Sequence, residues 1–348
     1  MNIIELHSSR AWLTIPYFEN HLYDELNAIV TNEASFVALQ SKLKIYGHFL
    51  CLENLPPSIL RKNIFWKQLE LTNPFLAEFS SIKEAANLLK SIQRNWMHSP
   101  FTCIRRGELI QDSLPFINRK PKQFYCSIPT SPIGVFTLLD SNHLFASAIT
   151  SSPFPLGEAC FVEDKLSPPS RAYLKLYEAL TLMDYYKRCA CGDKSGLFGQ
   201  RSEDIDGAIK PFSSLHCVDA GASPGGWTWV LDMLGANITA IDRTALAPNL
   251  MRKKNITFIT HDAFTIPLES FGKVDWVLSD VACYPPRLLE WVQKWLERDL
   301  CRNFVCTLKM QGKPDLSTIE AFASIPHSRL IHLFHNKHEL TWLRSDFL

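Results

Sequence analysis

Five charged residues stand where apolar runs end, and their types suit nucleoside binding and proton transfer. The runs 215–220, 238–242, 256–260, 274–279 and 303–308 carry Asp219, Asp242, Asp262, Asp280 and Lys309 at or just past their ends. A single aspartate after a strand is ordinarily a helix cap or turn residue. Five in phase point to one edge of a sheet, and open α/β sheets bind ligands beyond the carboxyl ends of their strands. Lysine after a strand is ordinarily a solvated end, but Lys309 is expected near Asp280, Lys175 and Glu339. A partly buried lysine beside a second cation gives up its proton more readily and can serve as a base. Lys175 also fits a plainer role, as the i,i+3 partner of Glu178 on an exposed helix face.

The segment 218–228, Val-Asp-Ala-Gly-Ala-Ser-Pro-Gly-Gly-Trp-Thr, is the most informative stretch of the chain. An apolar strand ends at Asp219, turns through Gly221, Ser223, Pro224, Gly225 and Gly226, and enters an amphipathic helix at Trp227. Glycines let a ligand approach the main chain, and the first N–H groups of the helix face it. The next strand ends in Asp242, where a doubly wound fold holds a ribose. The spacing Gly221-x3-Gly225-Gly226 is not the dinucleotide G-x-G-x-x-G, and no phosphate-binding lysine follows it. A nucleoside without a pyrophosphate fits better, and S-adenosylmethionine leads the candidates.

The elements that must hold these residues alternate. Strands are expected over the five runs above, with helices at 227–234, 286–299 and 316–324. A helix capped by Ser170 is expected to run to about Arg188, and residues 189–214 read as a long loop. The runs 330–334 and 340–343 suit an antiparallel hairpin. Such alternation implies a mostly parallel sheet covered by helices on both faces. The first half has no comparable turns. Short apolar runs at 35–39, 45–52 and 66–71 suit strands or helix pieces, and 84–92 has helical periodicity. The runs 123–128, 134–139 and 144–149 look like strands, giving an α+β pattern up to the boundary Leu166-Ser-Pro-Pro-Ser170. Three domains are expected, at 1–75, 76–165 and 166–348.

Bulk composition narrows the classes. With 348 residues and 46% apolar content the chain can bury sizeable cores. A net charge of +1 excludes wholesale electrostatic attachment to nucleic acid, so any such contact must be local. Ten cysteines are scattered, and Cys189-x-Cys191 lacks a partner pair at zinc spacing, which suggests free thiols in a reducing cytosol and no metal. No apolar run approaches the ~20 residues of a membrane span, and the charged N-terminus does not read as a signal peptide. A cytoplasmic, monomeric protein with no membrane partner is expected.

Lys175, Asp280, Lys309 and Glu339 resemble the Lys-Asp-Lys-Glu tetrad of the FtsJ-type ribose 2′-O-methyltransferases. Pro-Ser-Arg-Ala-Tyr-Leu-Lys175-Leu, Asp-Ala-Gly-Ala-Ser-Pro-Gly-Gly-Trp and Ser-Asp280 match that pattern. Ser152-Pro153-Phe154, Trp291-x3-Trp295, Leu308-Lys309-Met310 and Leu333-Phe-His-x3-Glu339-Leu-Thr are similar, in order, to the bacterial branch that acts on a cytidine ribose of 23S rRNA. The resemblance implies a Rossmann-like, S-adenosylmethionine-dependent methyltransferase sheet behind an N-terminal ferredoxin-like and THUMP-like region. It implies that Ser223, Pro224, Gly225, Gly226 and Trp227 wrap the methionine part of the cofactor. Asp242 would bind the ribose, Asp262 the adenine amine, and Asp280 would face the sulfonium. Lys309 would be the general base. Ala172 stands where that branch has serine, one cofactor hydrogen bond fewer, although other FtsJ-type proteins also carry alanine there.

The implied partner is RNA, 23S rRNA or its precursor. Basic candidates for phosphate contact are Arg105, Arg106, Arg119, Lys120, Lys122 and Arg171, with Lys165 and 252–254 beside them, and Tyr284 suits stacking on a base. Two other classes stay open: a small-molecule methyltransferase with the same cofactor pocket, and a non-enzymatic RNA-binding relative. The first does not need paired lysines, and the second would lack a member of the tetrad.

Overall fold

The computed structural model describes residues 2–31, 42–192, 196–198 and 210–348. The run 35–39 and most of the loop expected over 189–214 lie outside the described residues. The chain packs as two compact units, residues 1–120 with 129–160, and residues 121–128 with 161–348.

The first unit holds β1 (Ile3–Glu5), β2 (Arg10–Leu13), α1 (Glu19–Thr31), β3 (Leu43–Tyr46), β4 (Phe49–Leu52), α2 (Pro57–Leu60), β5 (Leu69–Thr72), β6 (Phe75–Glu78), α3 (Ile82–Ile92), β7 (Trp96–His98), α4 (Ile104–Asp112), β8 (Gly134–Leu138), β9 (His143–Ser147) and β10 (Ile149–Thr150). They form two five-stranded sheets, β1-β6-β9-β8-β7 and β10-β5-β2-β4-β3. Each sheet therefore takes strands from both sides of residue 75. Ala11, Phe49 and Leu71 of one sheet and Val135 and Phe145 of the other share one core. On the far side α3 buries Ala85, Ala86, Leu88 and Leu89 against Trp96, Phe136 and Leu144. Ser81 caps α3 by accepting from the Glu84 N–H, while Glu84 accepts from the Ser80 N–H at 2.8 Å.

The second unit holds α5 (Tyr173–Cys191), β11 (His216–Ala220), α6 (Gly226–Leu234), β12 (Asn237–Asp242), α7 (Pro248–Met251), β13 (Ile256–Thr260), β14 (Trp276–Ser279), α8 (Pro285–Glu297), β15 (Asn303–Lys309), α9 (Leu316–Ala323), β16 (Ser328–Ile331) and β17 (Glu339–Arg344). Its seven-stranded sheet has the order β13-β12-β11-β14-β15-β17-β16. The first five strands are parallel, and β17 returns antiparallel to β15. β11, β14 and most of β15 are buried, as central parallel strands under helices on both faces must be. The alternating elements and the closing hairpin lie where the sequence places them.

Three local expectations are corrected. Ser170 does not cap α5, because the turn 168–172 precedes the helix and Ala172 occupies the cap position. The run 123–128 is not a strand. Lys122, just before it, forms an isolated bridge with Phe161, and Phe124 lies on Tyr177. Packing also unites what the sequence divides at residue 75, because β1 pairs with β6 and β10 with β5.

Candidate active site

Two lysines meet at one aspartate. Asp280 follows β14, and both its carboxylate oxygens accept from Lys175 Nζ at 2.7 Å. Lys309 Nζ, at the end of β15, donates to the Asp280 carbonyl oxygen at 2.6 Å and lies 3.2 Å from Oδ1. Glu339 opens β17 directly opposite Lys309 in the ladder, and its Oε1 accepts from Lys175 at 3.1 Å. Three strands and α5 thus converge on four side chains, the four named from sequence. Lys175 is not an exposed partner of Glu178. Both are buried in α5, and the Glu178 carboxylate accepts instead from the Phe334 and His335 N–H groups at 2.8 and 3.1 Å. Burial pushes Glu178 up to about 8, against the pull of those two N–H groups.

The two lysines are not equivalent. Lys175's side chain is 9% exposed and bonded to two carboxylates, whereas Lys309's is 29% exposed. Of the two, Lys309 is the more exposed.

Beside the tetrad, a cavity of about 260 Å³ is lined by Gly221, Asp242, Asp262, Phe264, Val281 and Arg287, among others. Asp242 accepts from the Ser223 and Thr244 N–H groups at 3.1 and 2.9 Å. A carboxylate offers about four acceptor sites, so two remain for a diol. Asp262 accepts from the Phe264 N–H at 3.1 Å and from Arg243 and Arg287 Nη2 at 2.6 and 3.1 Å, leaving one. Burial works to raise Asp262, but the Phe264 N–H and the two guanidinium groups outweigh it and hold the carboxyl below its usual range. Arg287 also covers the Phe264 ring at 4.7 Å. This set fits a nucleoside: acceptors for two hydroxyls, an acceptor for an amine, and an aromatic wall.

Asp219, near the end of β11, works differently from its sequence reading. Asp219 is 1% exposed and accepts from Thr228 Oγ1 at 2.6 Å. It ties strand to helix inside the fold. Burial raises it to about 7, and the neighbouring Asp280 and Asp242 charges add to that rise. Gly225 has φ +116°, and a Cβ there would lie 2.3 Å from Leu250 Cδ1 on α7. A side chain at Gly225 would thus meet Leu250 as well as a strained backbone. Trp227 is buried, and its indole N–H donates to the Ala172 carbonyl at 2.9 Å, fixing the start of α5. Ser223 Oγ donates to the Ala245 carbonyl. Pro224 accepts the Ala247 N–H through its carbonyl.

The basic candidates are dispersed. Arg105 pairs with Glu108 at 3.4 Å, and Arg106 lies over Phe79 at 5.4 Å, both on the first unit. Arg119 and Lys120 are exposed there. Lys122 and Arg171 belong to the second unit, where Arg171 pairs with Glu163 at 2.8 Å. Tyr284 is exposed just after the Asp280 loop. Arg243 and Arg287 escaped the sequence reading because they reach Asp262 from the end of β12 and from α8, elements distant in sequence, while Phe264 lies beside Asp262 in its own turn. The signal for Arg287 was its position four residues before Trp291 on one helix face, which places both around Phe264.

The pattern of the FtsJ-like methyltransferases matches residues 168–340. A ribosomal RNA large subunit methyltransferase M of Xanthomonas oryzae pv. oryzae (strain PXO99A) is 28% identical over 274 residues, covering 75% of this chain and 68% of that protein. The protein of the same name from Xylella fastidiosa (strain M12) is 31% identical over 212 residues, covering 57% and 53%. That from Halorhodospira halophila (strain DSM 244 / SL1) is 28% identical over 207 residues, covering 58% and 54%. The match spans the tetrad, the turn after β11 and every acid of the cavity. Residues 168–340 are an S-adenosylmethionine-dependent methyltransferase domain of the FtsJ-like family.

Proposed function

We propose that this protein methylates a ribose 2′-hydroxyl of RNA, a large-subunit ribosomal RNA, with Lys309 as general base. One observation carries the reading: two lysines from different elements share Asp280, and Lys309 is the more exposed of the two. A small-molecule enzyme with the same cofactor pocket has no need of the second, buried lysine. The relatives named for ribosomal RNA support the substrate class. Such a substrate fits a cytoplasmic enzyme.

When bound, S-adenosylmethionine supplies an electrophilic methyl group on a sulfonium. Asp242 and Asp262 would hold the ribose and the adenine amine, and the turn 223–227 would hold the methionine end. Asp280 fixes both lysines through its side chain and its carbonyl. Lys175 stays bonded to Asp280 and Glu339 and keeps Asp280 in place. Lys309 Nζ would take the proton of the 2′-hydroxyl as the oxygen becomes nucleophilic. Positioning of that oxygen by these residues would supply much of the acceleration. Residues 1–165, with Arg105, Arg106, Arg119, Lys120 and Lys122, would grip the RNA backbone, and Arg171 would do so beside the site.

Single-turnover methyl transfer tests the role. Lys309→Ala is expected to slow the chemical step by ~10²–10⁴-fold with cofactor affinity retained. Lys309→Arg is expected to fail as well, because a guanidinium stays protonated. A Lys309→Arg enzyme as fast as wild type would overturn the assignment.

A further inference from the structure

Glu178 is a buried carboxyl that the proposed chemistry does not use. It sits one helical turn after Lys175 on α5 and is 3% exposed. Among the described residues no lysine or arginine stands within ion-pair distance of it. Burying a carboxyl without a cation is costly, and its two oxygens must have other donors. They have two: Phe334 N–H at 2.8 Å on Oε1 and His335 N–H at 3.1 Å on Oε2. Both amides belong to the turn between β16 and β17.

That turn delivers Glu339. Asn336 Nδ2 donates to the Glu339 carbonyl and to Thr341 Oγ1, both at 3.1 Å, and Asn336 N–H donates to the Leu333 carbonyl at 3.0 Å. Helix α5 therefore holds the hairpin at two points a turn apart. Lys175 grips the Glu339 carboxylate at 3.1 Å, and Glu178 grips the backbone five and four residues before it. The ladder with β15 sets which residue faces Lys309. It does not set how far the hairpin end stands from α5, and a carboxylate on two amides does.

We propose that Glu178 is a positioning residue that holds the β16–β17 turn against α5, so that Glu339 stays within reach of Lys175. The inference rests on the tetrad reading above and adds a fifth side chain to it. Glutamine at 178 keeps the volume but has one acceptor oxygen and an NH₂, which opposes one of the two amides.

The test uses the full chain and three readouts: amide hydrogen exchange at Phe334 and His335, S-adenosylhomocysteine affinity, and single-turnover methyl transfer with cofactor and RNA saturating. In wild type both amides should be protected relative to exposed turn amides. Glu178→Gln should release them, slow the chemical step by ~10-fold and leave S-adenosylhomocysteine affinity within about twofold, since a tenfold rate loss reflects a small displacement of the tetrad. A purely structural role would lower the melting temperature and leave the rate of the folded enzyme unchanged, which would overturn the proposal. Should Glu178→Gln not fold, Glu178→Asp and the wild-type exchange alone still decide, because unprotected amides at Phe334 and His335 in wild type would sink the idea. Loss of rate in Lys309→Ala with none in Glu178→Gln refutes only this inference. Full rate in Lys309→Arg refutes the general-base reading instead.

Discussion

Replacing Phe124 should weaken the methyltransferase unit although Phe124 lies more than forty residues before its family-matched segment. The residues 121–128 pack with 161–348 and not with their sequence neighbours. Phe124 is 7% exposed and stacks on Tyr177 with ring centroids 3.7 Å apart and planes 2° from parallel. Tyr177 lies two residues after Lys175 on α5. Arg188 of the same helix donates through Nη2 to the Ile128 carbonyl at 2.5 Å. Truncating a buried phenylalanine to alanine costs ~3–5 kcal/mol, the sum of lost transfer energy and the cavity left behind. For a unit of this size each kcal/mol lowers the melting temperature by roughly 2–4 °C, so Phe124→Ala should lower it by about 10 °C. Phe116, 86% exposed in the same stretch of sequence, is the control, and Phe116→Ala should change stability by less than ~0.5 kcal/mol. Thermal unfolding with and without S-adenosylhomocysteine measures both, and the ligand identifies which transition belongs to the second unit. Equal melting of Phe124→Ala and wild type would refute the assignment of 121–128 to this unit. If it holds, a fragment starting at Leu166 lacks Phe124, leaves Tyr177 uncovered, and should bind cofactor poorly for want of stability.

Gly225→Ala should destabilise by ~1–2 kcal/mol through its φ of +116° alone, since Leu250 can swing away from the new methyl. Denaturant unfolding checks this, and a cofactor-binding loss with wild-type stability would show instead that the space serves the ligand. Asp219→Asn should remove a pH dependence. Burial raises Asp219 from an ordinary 3.8 to about 7 in the folded protein, so the folded state holds its proton more tightly. The stability this contributes is full below about 4 and is lost as pH rises toward 7, at no more than ~1.4 kcal/mol per unit. The stability gap between wild type and Asp219→Asn, measured at pH 5 and pH 8, should therefore shift against wild type at the higher pH. A constant gap would show that Asp219 does not titrate in this range.

Some of the site was legible because buried parallel strands are apolar along their whole length. In β11, β14 and β15 the first charged residue marks the strand end, so Asp280 and Lys309 could be placed on one edge without knowing the sheet order. Asp219 shows the limit of the same logic. It is also a strand-end acid, but its partner Thr228 lies on the helix entered from the same turn, and the pair closes inward. Spacing alone does not separate an acid aimed at a ligand from one aimed at the next helix. The first unit was less legible for a different reason. Its strands are two to five residues long, too short for a period of two to register, and their pairing is non-local. β1 joins β6 some seventy residues away, and β10 joins β5, so no boundary near residue 75 can fall between cores.

The arginines on Asp262 and the amides on Glu178 share one cause of invisibility. Each contact joins an acid to a group whose sequence position is set by sheet order, and sheet order is a tertiary fact. Lys175 shows what resolves such cases. By spacing it could pair with Glu178, three residues on, at a gain of only a few tenths of a kcal/mol on an exposed helix. Burial changes that balance. In α5 both side chains leave water, and each takes the partner that satisfies most of its hydrogen-bonding capacity. Lys175 has three protons and finds three carboxylate oxygens, two just past β14 and one at the start of β17. Glu178 has two oxygens and finds two amides on one turn. Paired with each other, they would leave Asp280, Glu339 and two backbone N–H groups without these partners, a larger loss than the ion pair returns. The surface salt bridge is rejected for the same reason that the tetrad forms.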